Sequence, residues 1–311
     1  MSRAIVFPGQ GVQIIGMGHE LAKAFPVARD VFNEVDEALK QKLSKLMWEG
    51  SESELNLTEN AQPALMAVSI AIIRILANQG NWIVEEKADL IAGHSLGEYS
   101  ALVAAGTFTL SDAARLLKTR GQAMQKAVPI NSGAMAVLLG IEVDQVREII
   151  SCIEENDVCE IANDNAPGQV VISGTKIAIE HAIIMARMKG AKRSMPLKVS
   201  APFHCSLMYP AAKVVANALD FVTMLPPVVP MVSNVTASFT NDPEEIRQLL
   251  ITQMTEMVRW RESILAMKMS GVNSIVEIGV GNVLTNLTKR IDKEIITTSL
   301  QTQNDIDIFL S

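Results

Sequence analysis

Residues 92–102 read Ala92-Gly93-His94-Ser95-Leu96-Gly97-Glu98-Tyr99-Ser100-Ala101-Leu102, directly after the apolar run 88–92. A serine framed as Gly93-x-Ser95-x-Gly97 at the end of a predicted strand marks a sharp strand-to-helix turn. There the backbone passes too close to its neighbours to admit a Cβ on either side. The turn predicts a strand over 88–92, a helix over 96–105 and a serine hydroxyl raised at the edge of a sheet.

Outward from this turn the chain keeps a strand–helix rhythm. Residues 3–7 read as a buried strand followed by the loop Pro8-Gly9-Gln10-Gly11. Helices are expected over 27–39 and 61–79, with Pro63 tolerated near the start of the second because first-turn N–H groups lack helical partners. Another is expected from a Ser111 cap to Lys126, with Asp112 in its first turn. From Asn131 the order changes to strand 133–140, helix 143–153, strands 158–163 and 169–173 around the turn 164–168, helix 175–189 and strand 191–199. That is βαββαβ, the ferredoxin-like split motif. The first rhythm then resumes with helix 206–219, strand 228–233, helices between 243 and 270, strand 273–278, helix 282–290 and strand 295–299. The expected fold class is α/β with a mostly parallel sheet. One domain, 1–127 and 199–311, flanks a small insert, 128–198, and their junction is a favoured place for a cleft.

The net charge of −7 argues against general nucleic-acid binding. The N-terminus lacks a signal-peptide pattern, and the apolar stretch 64–77 is interrupted by Ser69 and Arg74, so no membrane span is expected. Cys152, Cys159 and Cys205 are odd in number with no CxxC, which disfavours disulfides and zinc and fits a reducing cytoplasm. The glycine loop is a poor nucleotide site. Ile14 stands where a dinucleotide fingerprint needs its third glycine, and Met17-Gly18 stand where a P-loop needs Lys and Ser or Thr.

A serine hydroxyl needs a base. Of the four histidines, His181 falls within a helix, His94 adjoins the serine as a packing residue, and His19 reads as a loop residue. His204, in Ala201-Pro202-Phe203-His204-Cys205 between a strand and a helix, is the candidate base for Ser95. The backbone N–H of Leu96 opens a helix and can donate to a developing oxyanion. Gln10, on the loop after the first strand, can supply a second donor.

The motifs Phe7-Pro8-Gly9-Gln10-Gly11, Gly93-His94-Ser95-Leu96-Gly97-Glu98-Tyr99, Arg120-Gly121, Pro167-Gly168-Gln169-Val170-Val171-Ile172-Ser173-Gly174 and Pro202-Phe203-His204-Cys205 occur in this order. Together, across residues 3–300, the chain resembles the malonyl-CoA:acyl-carrier-protein transacylase family of bacterial type II fatty-acid synthesis. The resemblance implies an α/β-hydrolase-like core and a ping-pong transfer of malonyl from malonyl-CoA, through a Ser95 ester, to the phosphopantetheine thiol of acyl carrier protein. No cofactor or metal is implied, and the chain is expected to be a cytoplasmic monomer.

The resemblance also assigns residues. His204 is the base, supported by a main-chain carbonyl matching Gln253; Gln10 and Leu96 form the oxyanion hole. Arg120 binds the malonyl carboxylate, as a guanidinium can with two parallel hydrogen bonds. Phe203 crowds an α-methyl branch, and Asn163 lines the cleft. Because the carrier is acidic, Lys192 and Arg193, near Arg187 and Lys189, are expected to steer its docking together with Lys289 and Arg290. Two positions depart from the family pattern. After Gln253 the chain reads Met254-Thr255-Glu256-Met257-Val258-Arg259-Trp260 where the family commonly has an Asn-Pro-Val-x-Trp pattern, which predicts slightly altered histidine support, and Val280 replaces a common proline, which predicts a looser turn. An esterase or thioesterase using the same Ser–His pair, and a non-enzymatic binding protein on the same fold, remain as rivals. Arg120 discriminates the first, an acyl-serine adduct the second.

Overall fold

The computed structural model describes residues 2–129, 131–154 and 156–311. Positions 1, 130 and 155, within the expected spans 1–127 and 128–198, lie outside them. The chain opens with β1 (Arg3–Phe7), α1 (His19–Ala24), α2 (Pro26–Leu39), α3 (Leu43–Glu49), α4 (Glu52–Leu55) and α5 (Thr58–Gly80). There follow α6 (Val84–Lys87), β2 (Leu90–Gly93), α7 (Gly97–Ala104) and α8 (Leu110–Lys126). The middle third holds β3 (Gly133–Leu139), α9 (Val143–Ile150), β4 (Cys159–Ala166), β5 (Gln169–Thr175), α10 (Lys176–Met188) and β6 (Arg193–Pro196). The last third holds α11 (Tyr209–Leu219), β7 (Met231–Val232), β8 (Phe239–Thr240), α12 (Pro243–Thr252) and α13 (Trp260–Met269). It ends with β9 (Ser274–Ile278), α14 (Val283–Ile291), β10 (Ile296–Leu300) and α15 (Gln303–Leu310).

Two sheets form. The larger has the order β10-β9-β1-β2-β7-β8, parallel except for β8. Its central strand β1 is buried from Ala4 to Phe7, as a parallel strand covered on both faces must be. The register pairs Phe7 with Gly93, so the loop after β1 and the turn after β2 leave the sheet side by side at its carboxyl edge. Ligands of open α/β sheets bind at that edge.

The smaller sheet is antiparallel, in the order β4-β5-β3-β6. Its strands alternate. Ala136, Leu138 and Ile172 pack against α9 and α10, whereas Met135, Val137 and Val171 join the core of the larger layer. Asp164 clamps Arg261 at 2.6 and 2.9 Å, and Asn163 bridges Val258, so β4 is fastened to the segment entering α13.

Several local expectations are corrected. α8 begins earlier and is capped by Thr109, whose hydroxyl accepts from the Asp112 N–H; Ser111 instead donates to Glu34. His19 is not a loop residue: it opens α1 and stacks on Trp48. β4 runs through Asp164, Asn165 and Ala166, which were expected in a turn; register shifts let these polar residues stay in the strand. α5 starts at Thr58, so Pro63 lies inside it rather than in its first turn. The helix has 23 residues with a mean hydropathy of 1.5 in its most apolar window, enough by length and composition to cross a membrane. The interruptions at Ser69 and Arg74 do not prevent that, but 89% of the window is buried inside the fold, where α2 and α8 pack on it.

Candidate active site

Ser95 sits between β2 and α7 with φ +54°, in the left-handed region. Both flanking glycines are required by contact. A Cβ on Gly93 would lie 1.8 Å from the Gly97 carbonyl carbon, and one on Gly97 would lie 2.3 Å from the Phe7 carbonyl oxygen. The strained serine is pinned by Asn234, which follows β7. Its Oδ1 accepts from the Ser95 N–H at 2.7 Å, and its Nδ2 donates to Gly93 O at 2.7 Å. Such an outlier persists only where its surroundings over-determine it.

His204 lies on the loop between β6 and α11, also with positive φ (+58°), and is buried. Its Nε2 is 2.8 Å from Ser95 Oγ and its Nδ1 is 2.8 Å from the Gln253 carbonyl oxygen. A carbonyl can only accept, so the proton rests on Nδ1, leaving Nε2 free to accept from the serine. Burial and then the Arg120 charge push the His204 pKa down to about 3. The imidazole is therefore neutral at ordinary pH, with Nε2 unprotonated and facing the serine hydroxyl. The departure at Thr255-Glu256-Met257 leaves this support at ordinary hydrogen-bond length.

Arg120 reaches the same point from α8. It is 1% exposed. Nη1 donates to Gln62 Oε1 at 2.7 Å, and Nη2 donates to Gln253 Oε1 at 2.8 Å and to Ser95 Oγ at 3.1 Å. The adjacent Gly121 permits this approach, because a Cβ there would lie 2.5 Å from Glu59 Cα on α5. A buried guanidinium whose described partners are all neutral is a site for an anion.

These groups open onto a cleft of about 330 Å³ whose lining also includes Gln10, Leu96, Asn163, Met135, Lys198 and Phe203. The Gln10 side chain is turned to Thr58 Oγ1 at 3.2 Å. Among the described residues, neither the Gln10 nor the Leu96 backbone N–H donates to a protein acceptor. Among the described residues no group of three or more His, Cys, Asp or Glu side chains could hold a metal.

Residues 4–302 match the model of the acyl transferase domain family. The malonyl CoA-acyl carrier protein transacylase of Bacillus subtilis is 43% identical over 306 residues, covering 98% of this chain and 95% of that one. This chain belongs to that family. Among solved structures, the acyl-carrier-protein S-malonyltransferase of Bartonella henselae superposes with a TM-score of 0.97 at 52% identity, over 100% of this chain and 98% of that one. A malonyl-transacylase in complex with its type II PKS acyl-carrier protein superposes with a TM-score of 0.96 at 41% identity, over 100% and 99%.

Ser95 and His204 thus come together from elements far apart in sequence. Several residues at or near this pair escaped the sequence reading. Asn234 lies just past the strand expected over 228–233, a single polar residue in no recognised motif. Gln62 lies on an almost wholly buried helix with nothing to set it apart. Glu98 was in plain view inside the serine motif but carried no assigned task. Asn165, placed in a turn by sequence, holds His94 at 2.9 Å from β4. His94 is half-buried, with its ring against Trp260, and it also lines the cleft.

The basic residues separate. Lys192 and Arg290 line one groove of about 420 Å³ together with Glu142, and Arg290 ties α14 to the 167–169 turn through Pro167 O and the Gln169 side chain. Arg193 and Lys289 are exposed. Arg187 donates to Ser194 O and Lys189 pairs with Glu148. Lys198, unremarked in the sequence, lines the Ser95 cleft itself. The turn at Val280 is held by Gly279 N–H to Leu300 O at 3.1 Å and Gly281 N–H to Gln301 Oε1 at 2.9 Å.

Proposed function

We propose that this chain moves malonyl from malonyl-CoA to the phosphopantetheine thiol of acyl carrier protein through an ester on Ser95. Ser95 Oγ attacks the thioester carbonyl while His204 Nε2 takes its proton. The Leu96 and Gln10 N–H groups meet the oxyanion. The coenzyme thiolate leaves with the proton from His204. In the second half the carrier thiol gives its proton to His204, attacks the ester and returns the proton to Ser95. Arg120 takes the malonyl carboxylate beside the nucleophile. Phe203 crowds a methyl branch, a discrimination of about 1–3 kcal/mol, and Asn163 walls the cleft from β4. The observation that carries the reading is the convergence of His204 Nε2 at 2.8 Å and the Arg120 guanidinium at 3.1 Å on one hydroxyl.

The reaction as written uses no cofactor or metal. The finer fold reading also belongs here. The strand order β4-β5-β3-β6 with two helices on one face supports a ferredoxin-like subdomain over 128–198. The parallel sheet with its serine turn supports a hydrolase-like core over 1–127 and 199–311. A cytoplasmic, monomeric protein fits this reading, with Lys192, Arg193, Lys289 and Arg290 steering the acidic carrier. The test is intact-mass measurement after incubation with malonyl-CoA, then with carrier protein at low and high salt. A malonyl adduct absent in Ser95→Ala, and salt-sensitive discharge slowed by charge reversal of the four basic residues, are expected. No adduct would refute the mechanism; salt-insensitive discharge would refute the docking patch.

A further inference from the structure

Beneath the nucleophile lies a carboxyl that the reaction above does not use. Glu98, in the first turn of α7, is fully buried. Oε1 accepts from the Asn234 main-chain N–H at 2.6 Å, and Oε2 accepts from Gln253 Nε2 at 2.6 Å. The same Gln253 Nε2 donates to Ser95 O at 3.0 Å, while Gln253 Oε1 accepts from Arg120 Nη2 at 2.8 Å. A carboxylate only accepts and a guanidinium only donates. The amide between them therefore has a single orientation, nitrogen toward Glu98 and oxygen toward Arg120.

We propose that Glu98 is a positioning residue for acyl-group selection: by polarising the Gln253 amide it holds the Arg120 guanidinium against Ser95, and so sets the preference for a carboxylated acyl group. This rests on the reading of Arg120 as the carboxylate ligand. A carboxylate placed directly on Arg120 would occupy the donors that substrate needs. With one amide between, Glu98 orients the guanidinium and offsets part of its buried charge, and the Nη2 donor that rests on Ser95 Oγ is the one left for substrate. Asn234 extends the same control to the serine turn, since the residue whose N–H binds Glu98 also pins the Ser95 N–H.

Burial pushes the Glu98 pKa up to about 8, opposed by the Asn234 and Gln253 hydrogen bonds and by the Arg120 charge. The charged or titratable groups around it are Arg120 on α8, Tyr99 beside it on α7, and the neutral His204 beyond Ser95. Tyr99 is pushed up to about 12 by burial and does not titrate in the same range. Protonation would give the carboxyl a hydroxyl donor among groups that already donate. The preference for malonyl is therefore expected to rise as pH increases through about 8.

The experiment compares malonyl-CoA with acetyl-CoA in the wild type, Glu98→Gln, Gln253→Met and Arg120→Ala, on both sides of pH 8. In Glu98→Gln an NH2 faces one of two donors unless Gln253 flips, which turns its own NH2 toward Arg120. The expected result is a rise of about 10- to 100-fold in the malonyl-CoA KM, the scale of a lost charge-assisted hydrogen bond. The malonyl kcat and the acetyl-CoA kinetics change little, and the pH step disappears. Gln253→Met keeps the main-chain carbonyl that holds His204 but removes the amide donor to Ser95 O, so both acyl groups slow, and the malonyl-CoA KM should rise well beyond the acetyl-CoA KM. Should Glu98→Gln fail to fold, Gln253→Met decides the question. Labelling of Ser95 by a fluorophosphonate at the wild-type rate shows that the nucleophile is intact. Equal loss for both acyl groups, or an unchanged malonyl KM, overturns the proposal. If Arg120→Ala itself fails to discriminate, the carboxylate reading has failed; if it discriminates and the other variants do not, only the positioning role has.

Discussion

Replacing Arg120 with alanine gives the sharpest test of what this site selects. The guanidinium is buried, and its loss leaves Gln62 Oε1 and Gln253 Oε1 without their donor and opens space beside Ser95. Water can fill a polar gap of this kind, and both acyl groups encounter the same gap. The ratio of malonyl to acetyl kinetics therefore isolates the carboxylate. In the variant a malonyl group must bring its negative charge into the cleft with no guanidinium to meet it. Truncating one partner of a buried charged pair costs about 2–5 kcal/mol, which at 1.4 kcal/mol per decade is roughly 30- to 4,000-fold in kcat/KM. Acetyl transfer should be spared or rise. Arg120→Lys should recover part of the loss, because a single ammonium keeps the charge without the fork of parallel donors. The assay is single-turnover acylation of Ser95 followed by mass, with each acyl-CoA in turn. An equal fall for both acyl groups, in a variant that melts like the wild type, would refute the assignment.

Two further outcomes follow from the same geometry. Gly97→Ala drives a Cβ to 2.3 Å from the Phe7 carbonyl oxygen. It should cost at least about 3 kcal/mol in urea unfolding; a loss under 1 kcal/mol would show that the turn relaxes freely. His204 has a folded pKa depressed from 6.5 to about 3 by burial, by Arg120 and to a smaller extent by His94, against the main-chain carbonyls of Gln253 and Glu256. A depressed pKa contributes stability that is present above the unfolded value of 6.5 and lost as pH falls toward 3. The wild type should therefore lose more stability over that window than His204→Asn, which suits the positive φ and carries no imidazole. Acylation kinetics should show no inflection near 6.5; one there would mean the base is hydrated.

The serine motif was legible because its reason is local. Gly93 and Gly97 must lack a Cβ wherever a strand turns into a helix this tightly, and a single stretch of sequence carries that requirement. The alternation of strands and helices was legible for a similar reason, since buried parallel strands and amphipathic helices write their period into neighbouring residues. The short β8 left no period to read, and of the strand expected over 228–233 only Met231–Val232 forms. α5 shows the limit from the other side: its composition suits a bilayer or a protein core alike, and only the packing of α2 and α8 against it decides between them.

By itself the sequence determined the turn that presents Ser95, the class of sheet behind it and the ordered motifs that mark the family. Tertiary structure decided the rest of the site. His204, Arg120, Gln253, Asn234 and Glu98 stand on different elements, and their chemistry depends on distances of 2.6–3.1 Å that no spacing along the chain expresses. The depressed His204 pKa, the orientation of the Gln253 amide and the burial of Arg120 all arise from desolvation and from donors meeting acceptors. Those are properties of a folded interior, and they come into being only when the segments around Ser95 close over it.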